Sequence, residues 1–180
     1  MNFRPADPDR VLHDTWAFVE DDVVHLFYLA PQVGNNAHRL IGHALSVDWL
    51  HWRELPYVEL TGSPGSWDGG RIGTGHVFKR DDRYCMAYTG RIDPQEDVGL
   101  AVSDDLKTWH KPFDAPVWPQ HREPPYEVAF AEQGDRPAWR DPFVVRDSDG
   151  NSQAYLAARV SGGPSSGRGC VARAIIDALD

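Results

Sequence analysis

The stretch GHALSVDWLHW at residues 42–52 recurs in the chain as GLAVSDDLKTW at residues 99–109. Both copies read G-x-A-x-S-x-D-x-x-x-W, and a shortened third copy, ARAIIDAL, begins at Ala172. In the two complete copies an apolar run of strand length ends in serine, an aspartate follows in the turn, and the tryptophan begins the next strand. A recurring unit of this size indicates a fold made of similar blocks.

The rest of the chain also has the character of strands and turns. Apolar runs alternate with short turns rich in Asp, Gly and Pro, and no stretch combines a helical apolar period with capping residues. The runs lie at about residues 14–19, 23–30, 40–46, 72–79, 83–89, 97–103, 142–146, 153–160 and 169–176. Each repeat follows two further strands, so the predicted unit is a four-stranded antiparallel sheet. The sequence therefore predicts an all-β fold, and within it a β-propeller in which each unit is one blade.

The predicted blades comprise residues 11–58, 70–118 and 138–180, and the third is unfinished. Closed propellers have about four to eight blades, and this chain supplies fewer than three complete ones. We therefore expect a truncated chain, with closure by pairing to another copy as the alternative. An open sheet edge in the third blade would favour self-association.

The composition narrows the classes of partner. A net charge of −9 over 180 residues argues against nucleic acid or an anionic membrane surface, because both require clustered Lys and Arg. Seven Trp and six Tyr suit both a β-sheet and a flat polyhydroxylated ligand. Cys85 and Cys170 lie in apolar runs, which predicts small buried thiols without a disulfide. Residues 1–10 contain no apolar signal core, so we expect a soluble, cytoplasmic protein.

Two aspartates carry the prediction of a catalytic site. Asp14 and Asp141 each begin what we predict to be the innermost strand of a blade. Pro142 is expected to hold Asp141 in extended geometry. Innermost strands run along the central channel, so both carboxylates are expected at one aromatic-walled pocket, the equipment for glycosidic-bond cleavage. The alternative is that both are turn or strand-cap aspartates.

Several segments resemble, in consistent order, those of the five-bladed propeller glycoside hydrolases of families 32, 43, 62 and 68. HDTW at residues 13–16, followed by HLFY at 25–28, resembles the β-fructosidase opening. IGHALSVDWLHW at 41–52, IGTGHV at 72–77 and WRDP at 139–142 resemble later motifs. The resemblance implies a propeller of the five-bladed type. It also implies a glycosidase that cleaves, or when truncated only binds, β-fructosides or arabinose- and xylose-containing glycans.

The resemblance also implies roles for three residues. Asp14 is the expected nucleophile or general base, Asp141 the stabiliser of the oxocarbenium-like transition state, and Arg140 a substrate-binding residue. HDTW lacks most of the Asn-Asp-Pro-Asn-Gly core of the fructosidase opening, which argues against fructan specificity and favours family 43-like or unassigned relatives. The family's acid/base glutamate lies in the blade after the RDP motif, past the last residue of this sequence. We therefore expect the general acid to be missing from this chain.

For each further candidate for substrate binding, the sequence allows either a role in binding or a structural role. Trp16 and Trp139 either stack on sugar rings or pack in the core. Asp68 either hydrogen-bonds substrate or caps a turn. Glu127 and Glu132, in the connection before the third blade, are expected at the substrate rim or in structural roles. No cofactor and no metal site is predicted.

The expected partner is an oligo- or polysaccharide substrate. Two alternatives come from other functional classes. One is a non-catalytic carbohydrate-binding propeller, and the other is a scaffold that binds protein partners on its loop face.

Overall fold

The computed structural model describes residues 3–120, 124–127, 136–148 and 151–175. These ranges contain strands, turns and one 3₁₀ turn, and no α-helix. The strands are β1 (Thr15–Glu20), β2 (Val23–Gln32), β3 (Asn35–Ser46), β4 (Arg53–Val58), β5 (Arg71–Arg80), β6 (Arg83–Ile92), β7 (Gln95–Ser103), β8 (Trp139–Arg146), β9 (Ser152–Arg159) and β10 (Gly169–Ile175). The prediction of an all-β fold is confirmed.

The strands form three antiparallel sheets, each built from consecutive parts of the chain. The sheet orders are β1-β2-β3-β4, β5-β6-β7 and β8-β9-β10. The first strands are neighbours, because β5 contacts both β1 and β8. His76 on β5 accepts a hydrogen bond at Nδ1 from the Val144 amide on β8, at 3.1 Å. The first strand of every sheet is therefore the inner one.

Only the first sheet has four complete strands among the described residues. The second sheet has a substitute for its fourth strand, since residues 110–118 pair with β7 through the bridges Val102–His110 and Val98–Trp118. Pro112 and Pro116 lie between these two bridges and have no amide hydrogen to donate. The pairing is therefore interrupted, and the edge remains irregular.

The two copies of the repeat form turns with the same hydrogen bonds. Ser46 Oγ accepts the Trp49 amide at 2.8 Å, and Ser103 Oγ accepts the Leu106 amide at 2.9 Å. The aspartate two residues after each serine accepts two further amides at 2.7–2.8 Å. Trp49 and Leu106 both have positive φ, 64° and 62°. The sequence repeat is thus a repeat of turn geometry.

The core lies between the sheets. Trp109, at the end of the second repeat, is 5% exposed and contacts Phe27 of the first sheet with ring centroids 6.2 Å apart. A second apolar cluster, which includes Trp139 and Leu156, joins the second and third sheets. This packing fixes the three inner strands side by side.

Both cysteines are free, with Cys85 buried and Cys170 half-buried. Within the described ranges no helix has the length and apolar character needed to span a bilayer.

Candidate active site

A cavity of about 340 Å³ lies where the three inner strands begin. We call it the central cavity, and its lining residues are Asp14, Arg39, Arg71, Gly73, Thr74, Thr89, Arg91, Glu96, Arg140 and Asp141. Asp14 immediately precedes β1, Thr74 lies on β5, and Asp141 lies on β8. The cavity is therefore assembled from all three sheets.

The side chain of Asp14 is exposed to this cavity, and its backbone is hydrogen-bonded to the neighbouring strand β2. Its carbonyl oxygen accepts the Leu29 amide of β2 at 3.0 Å. The Thr74 hydroxyl donates to Asp14 Oδ2 at 3.2 Å. The same hydroxyl also interacts with the Asp141 carboxyl, where it acts to lower the pKa. One threonine of the second sheet thus lies between the two predicted catalytic carboxylates.

Asp141 does not have the extended geometry expected of a residue before proline. Its φ is +54°, in the left-handed region, and the β8–β9 pairing is irregular between Arg140 and Phe143. The Asp141 amide donates instead to Thr89 Oγ1 at 3.0 Å. The expectation was wrong because this irregularity and the bond to the second sheet outweigh the local effect of Pro142. Left-handed backbone at a non-glycine residue costs about 1 kcal/mol, and such residues cluster at functional sites.

Its surroundings raise the pKa of Asp141. The main cause is loss of hydration, although 47% of the side chain remains open to the cavity. Arg140 and the Thr74 hydroxyl act in the opposite direction, while the negative charges of Asp14 and Glu96 raise the pKa further. Asp141 therefore holds its proton to a higher pH than a free aspartate.

Glu96 is a third carboxylate at the cavity, and no sequence motif indicated its role. It is 3% exposed, and Arg140 Nη1 lies 3.1 and 3.2 Å from its two oxygens. Arg91 Nη1 approaches to 3.5 Å, and the Trp139 amide donates to Glu96 Oε2 at 3.3 Å. Glu96 thus orients Arg140, whose Nε lies 3.6 Å from Asp141 Oδ2.

The two candidate tryptophans lie in the core. Trp16 is 7% exposed and stacks on Phe27 with centroids 6.0 Å apart. Trp139 is 2% exposed, and its indole donates to the Trp118 carbonyl at 3.1 Å. Neither lines the central cavity. Of the two interpretations that the sequence left open, burial favours packing for both.

Asp68 also lies away from the cavity and is fully buried. Its Oδ1 accepts the Ser63 amide at 2.9 Å. Its Oδ2 accepts the Tyr88 hydroxyl at 3.0 Å and the Lys111 ammonium at 2.6 Å. These contacts favour the turn interpretation, in which Asp68 anchors the loop before β5.

Glu127 is held by two arginines of the third sheet region. It is 7% exposed, with Arg168 Nη1 at 2.7 Å from one oxygen and Arg159 Nε at 2.9 Å from the other. It is absent from the lining of the central cavity. These contacts favour a structural role. Glu132 lies outside the described residues.

No group of three or more His, Cys, Asp or Glu side chains among the described residues is placed to hold a metal ion. The cavity is instead rich in arginine, with Arg39, Arg71, Arg91 and Arg140 in its lining. Sequence reasoning found only Arg140, because the others lie on apolar strands without a motif. A charged residue near the end of a largely apolar strand, as at Arg71 and Arg91, is the signal that would have identified them.

Residues 11–166 match the family model described as the glycosyl hydrolases family 32 N-terminal domain. The chain belongs to this family. A sequence search of curated proteins finds no match.

Solved structures support the same fold. The complex of BT0996 with RGII matches with a TM-score of 0.65 and 17% identity, over 96% of this protein and 56% of that one. CoXyl43, a GH43 β-xylosidase/α-arabinofuranosidase from a compost microbial metagenome, matches with a TM-score of 0.58 and 18% identity. The match covers 80% of this protein and 42% of that one. The Bombyx mori GH32 β-fructofuranosidase BmSUC1 matches with a TM-score of 0.63 and 16% identity. The match covers 93% of this protein and 34% of that one. The predicted propeller fold is confirmed, and the chain spans about a third to just over half the length of these proteins.

Proposed function

We propose that this protein acts as a glycoside hydrolase, with Asp14 as nucleophile or general base and Asp141 as stabiliser of the transition state. The observation that carries the proposal is the meeting of both carboxylates, with Thr74 between them, at one cavity of about 340 Å³. Membership of the family 32 N-terminal domain family supports it independently. Paired carboxylates are the usual equipment for hydrolysing a glycosidic bond.

In the proposed mechanism the roles of the two carboxylates follow from their surroundings. Asp14 is open to the cavity and held by Thr74, so its carboxylate attacks the anomeric carbon or activates a water. Asp141 and Arg140 hold sugar hydroxyls. The ionised Asp141 carboxylate accepts hydrogen bonds from them, and the protonated fraction of Asp141 can donate one. The negative charges of both aspartates stabilise the positive charge that develops on the sugar ring.

Protonation of the leaving group contributes about 10²–10⁴ to the rate in such reactions. The family resemblance assigns this step to a glutamate after the RDP motif. The 180 residues contain no glutamate after Asp141, so the proposal assigns no proton donor among them.

For the substrate we propose β-fructosides or arabinose- and xylose-containing glycans. The similar solved structures include a β-fructofuranosidase and a β-xylosidase/α-arabinofuranosidase. HDTW at residues 13–16 differs from the fructosidase opening, so we place pentose-containing glycans first.

One observation favours a second candidate, a propeller that binds carbohydrate without cleaving it. The third carboxylate of the cavity, Glu96, is occupied by Arg140, Arg91 and the Trp139 amide. No described carboxyl of the cavity other than Asp14 and Asp141 is thus placed to donate a proton to a leaving group.

The test uses the variants Asp14→Asn and Asp141→Asn, with Asp82→Asn in an exposed β5–β6 turn as the matched control. Turnover of aryl arabinofuranoside, aryl xyloside and sucrose is measured beside calorimetric binding of arabino- and xylo-oligosaccharides. The hydrolase proposal expects both site variants to lose turnover by at least about 10³-fold, while the control does not.

If the wild-type protein binds sugar without turnover, and the two site variants lose that affinity, the binding-only candidate is favoured. If neither binding nor turnover is seen, the carbohydrate proposal fails and a protein-binding scaffold becomes the better hypothesis.

A further inference from the structure

A second cavity, of about 450 Å³, lies beside the central cavity and shares Arg39 and Arg71 with it. We call it the arginine cavity, and its lining residues are Arg10, Gln32, Arg39, Leu40, Thr61, Gly62, Gly69, Gly70, Arg71 and Ile72. This lining contains three arginines and no carboxylate. A positively lined cavity contrasts with the chain's net charge of −9.

Arg71 stands at the junction of the two cavities, at the start of β5. Its side chain is half-buried, and in the described part of the chain it makes no hydrogen bond or ion pair. Burial lowers its pKa, and repulsion from Arg91 and Arg39 lowers it further, with Asp93 acting in the opposite direction. An unpaired guanidinium among like charges is a position that an incoming anion would stabilise.

Part of the wall of the arginine cavity is the loop before β5, which Asp68 anchors through Ser63, Tyr88 and Lys111. The Gly70 amide also donates to the Arg91 carbonyl at 3.0 Å. The arginine cavity is therefore preformed, which lowers the entropic cost of binding a ligand there.

We propose that the arginine cavity binds an anionic group of the glycan, a uronate carboxylate or a phosphate ester, with Arg71 as its principal ligand. A guanidinium donates two parallel hydrogen bonds to either group. Arg39 lines both cavities, so the anion lies on the sugar next to the one in the central cavity, or on a substituent of it. The inference rests on the proposed function, because it names the substrate class of that same site.

The experiment measures the affinity of four probes for the chain by NMR titration: glucuronate, glucose 6-phosphate, glucose and inorganic phosphate. The variant is Arg71→Gln, and the matched control is Arg173→Gln, an exposed arginine on β10. We expect one or both sugar anions to bind at least about tenfold more tightly than glucose, with an affinity that falls as salt is raised.

Arg71→Gln should abolish that preference, and Arg173→Gln should keep it. The fold of Arg71→Gln is checked by its melting temperature, which should not decrease, because the side chain has no partner to lose in the described part of the protein.

Equal affinity for glucose and both sugar anions would overturn the inference, as would inorganic phosphate binding as tightly as the sugar anions. The two proposals fail separately. If Asp141→Asn abolishes sugar binding and Arg71→Gln changes nothing, only the anionic subsite is wrong. If Arg71 selects sugar anions but no glycan is cleaved, the subsite stands and the hydrolase proposal falls.

Discussion

The Thr74 hydroxyl donates to Asp14 Oδ2 at 3.2 Å and so ties the carboxylate before β1 to the inner strand of the next sheet. Loss of this bond leaves Asp14 without its one described side-chain donor and free to rotate away from the cavity. We expect Thr74→Val to lower turnover, or sugar affinity where no turnover is measurable, by about tenfold. Steady-state kinetics and calorimetry on Thr74→Val measure the effect.

Thr74→Ser keeps the hydroxyl and should restore most of the loss. Thr108→Val, in an exposed turn, is the matched control. Equal losses in the Val and Ser variants would show that Thr74 acts through packing and not through its hydroxyl.

Glu96 is expected to contribute to stability as well as to the site. Glu96→Gln leaves Arg140 and Arg91 without their buried counter-charge, and breaking a buried pair costs about 3–5 kcal/mol. Because Arg140 is partly exposed, we expect the lower end of this range for the free energy of unfolding. Urea denaturation measures it.

The comparison is Asp104→Asn, which removes the exposed pair with Arg83 and should cost less than about 1 kcal/mol. A Glu96→Gln loss no larger than that of Asp104→Asn would contradict the predicted contribution of Glu96 to stability.

His43 should make the protein sensitive to acid. It is 1% exposed, and burial lowers its pKa to about 3. In the unfolded chain its pKa is about 6.5, so the neutral form stabilises the fold above that pH. This stability is lost as the pH falls from about 6.5 toward 3, and by about pH 4.5 the loss is about 3 kcal/mol.

We expect His43→Gln to remove most of this pH dependence while lowering stability at about pH 7.5. Urea midpoints of both proteins at about pH 7.5 and about pH 4.5 provide the measurement. Parallel falls in the two proteins would assign the acid sensitivity to other groups.

The serines of the two repeat turns should contribute equally to the free energy of unfolding. Ser46→Ala and Ser103→Ala each remove an acceptor used by two backbone amides. A typical intramolecular hydrogen bond contributes about 0.5–1.5 kcal/mol net, so the loss of two in each variant should cost about 1–3 kcal/mol.

The turns share no partners, so the double variant should lose the sum within about 0.5 kcal/mol. Thermal or urea unfolding of the three variants tests this. A large difference in stability between the two single variants would show that the two turns, despite their similar sequences, do not contribute equally to stability.

Local patterns were sufficient to predict the fold. The turn hydrogen bonds of Ser46 and Ser103 lie within three residues, so a single sequence carries them. All nine apolar runs appear as strands. β4 was expected only as the strand that follows Trp52, because its sequence, RELPYV, lacks an uninterrupted apolar run.

The site was predictable only where a motif marked it. Asp14 and Asp141 were predicted through the resemblance and the order of the strands, and both line the central cavity. Glu96 was missed because its partner Arg140 is 44 residues away, a pairing that only the docking of two sheets creates. The left-handed backbone of Asp141 was missed for the same reason, since its amide bonds to Thr89, 52 residues earlier.

Each sheet consists of one uninterrupted part of the chain, and this has a consequence for the order of folding. A sheet of consecutive hairpins needs only short loop closures, so each can form soon after its own residues leave the ribosome. The central cavity is different, because it takes residues from β8 as well as from the first two sheets. We therefore expect ligand-binding competence to appear late, after most of the secondary structure has formed and only once the third sheet has docked.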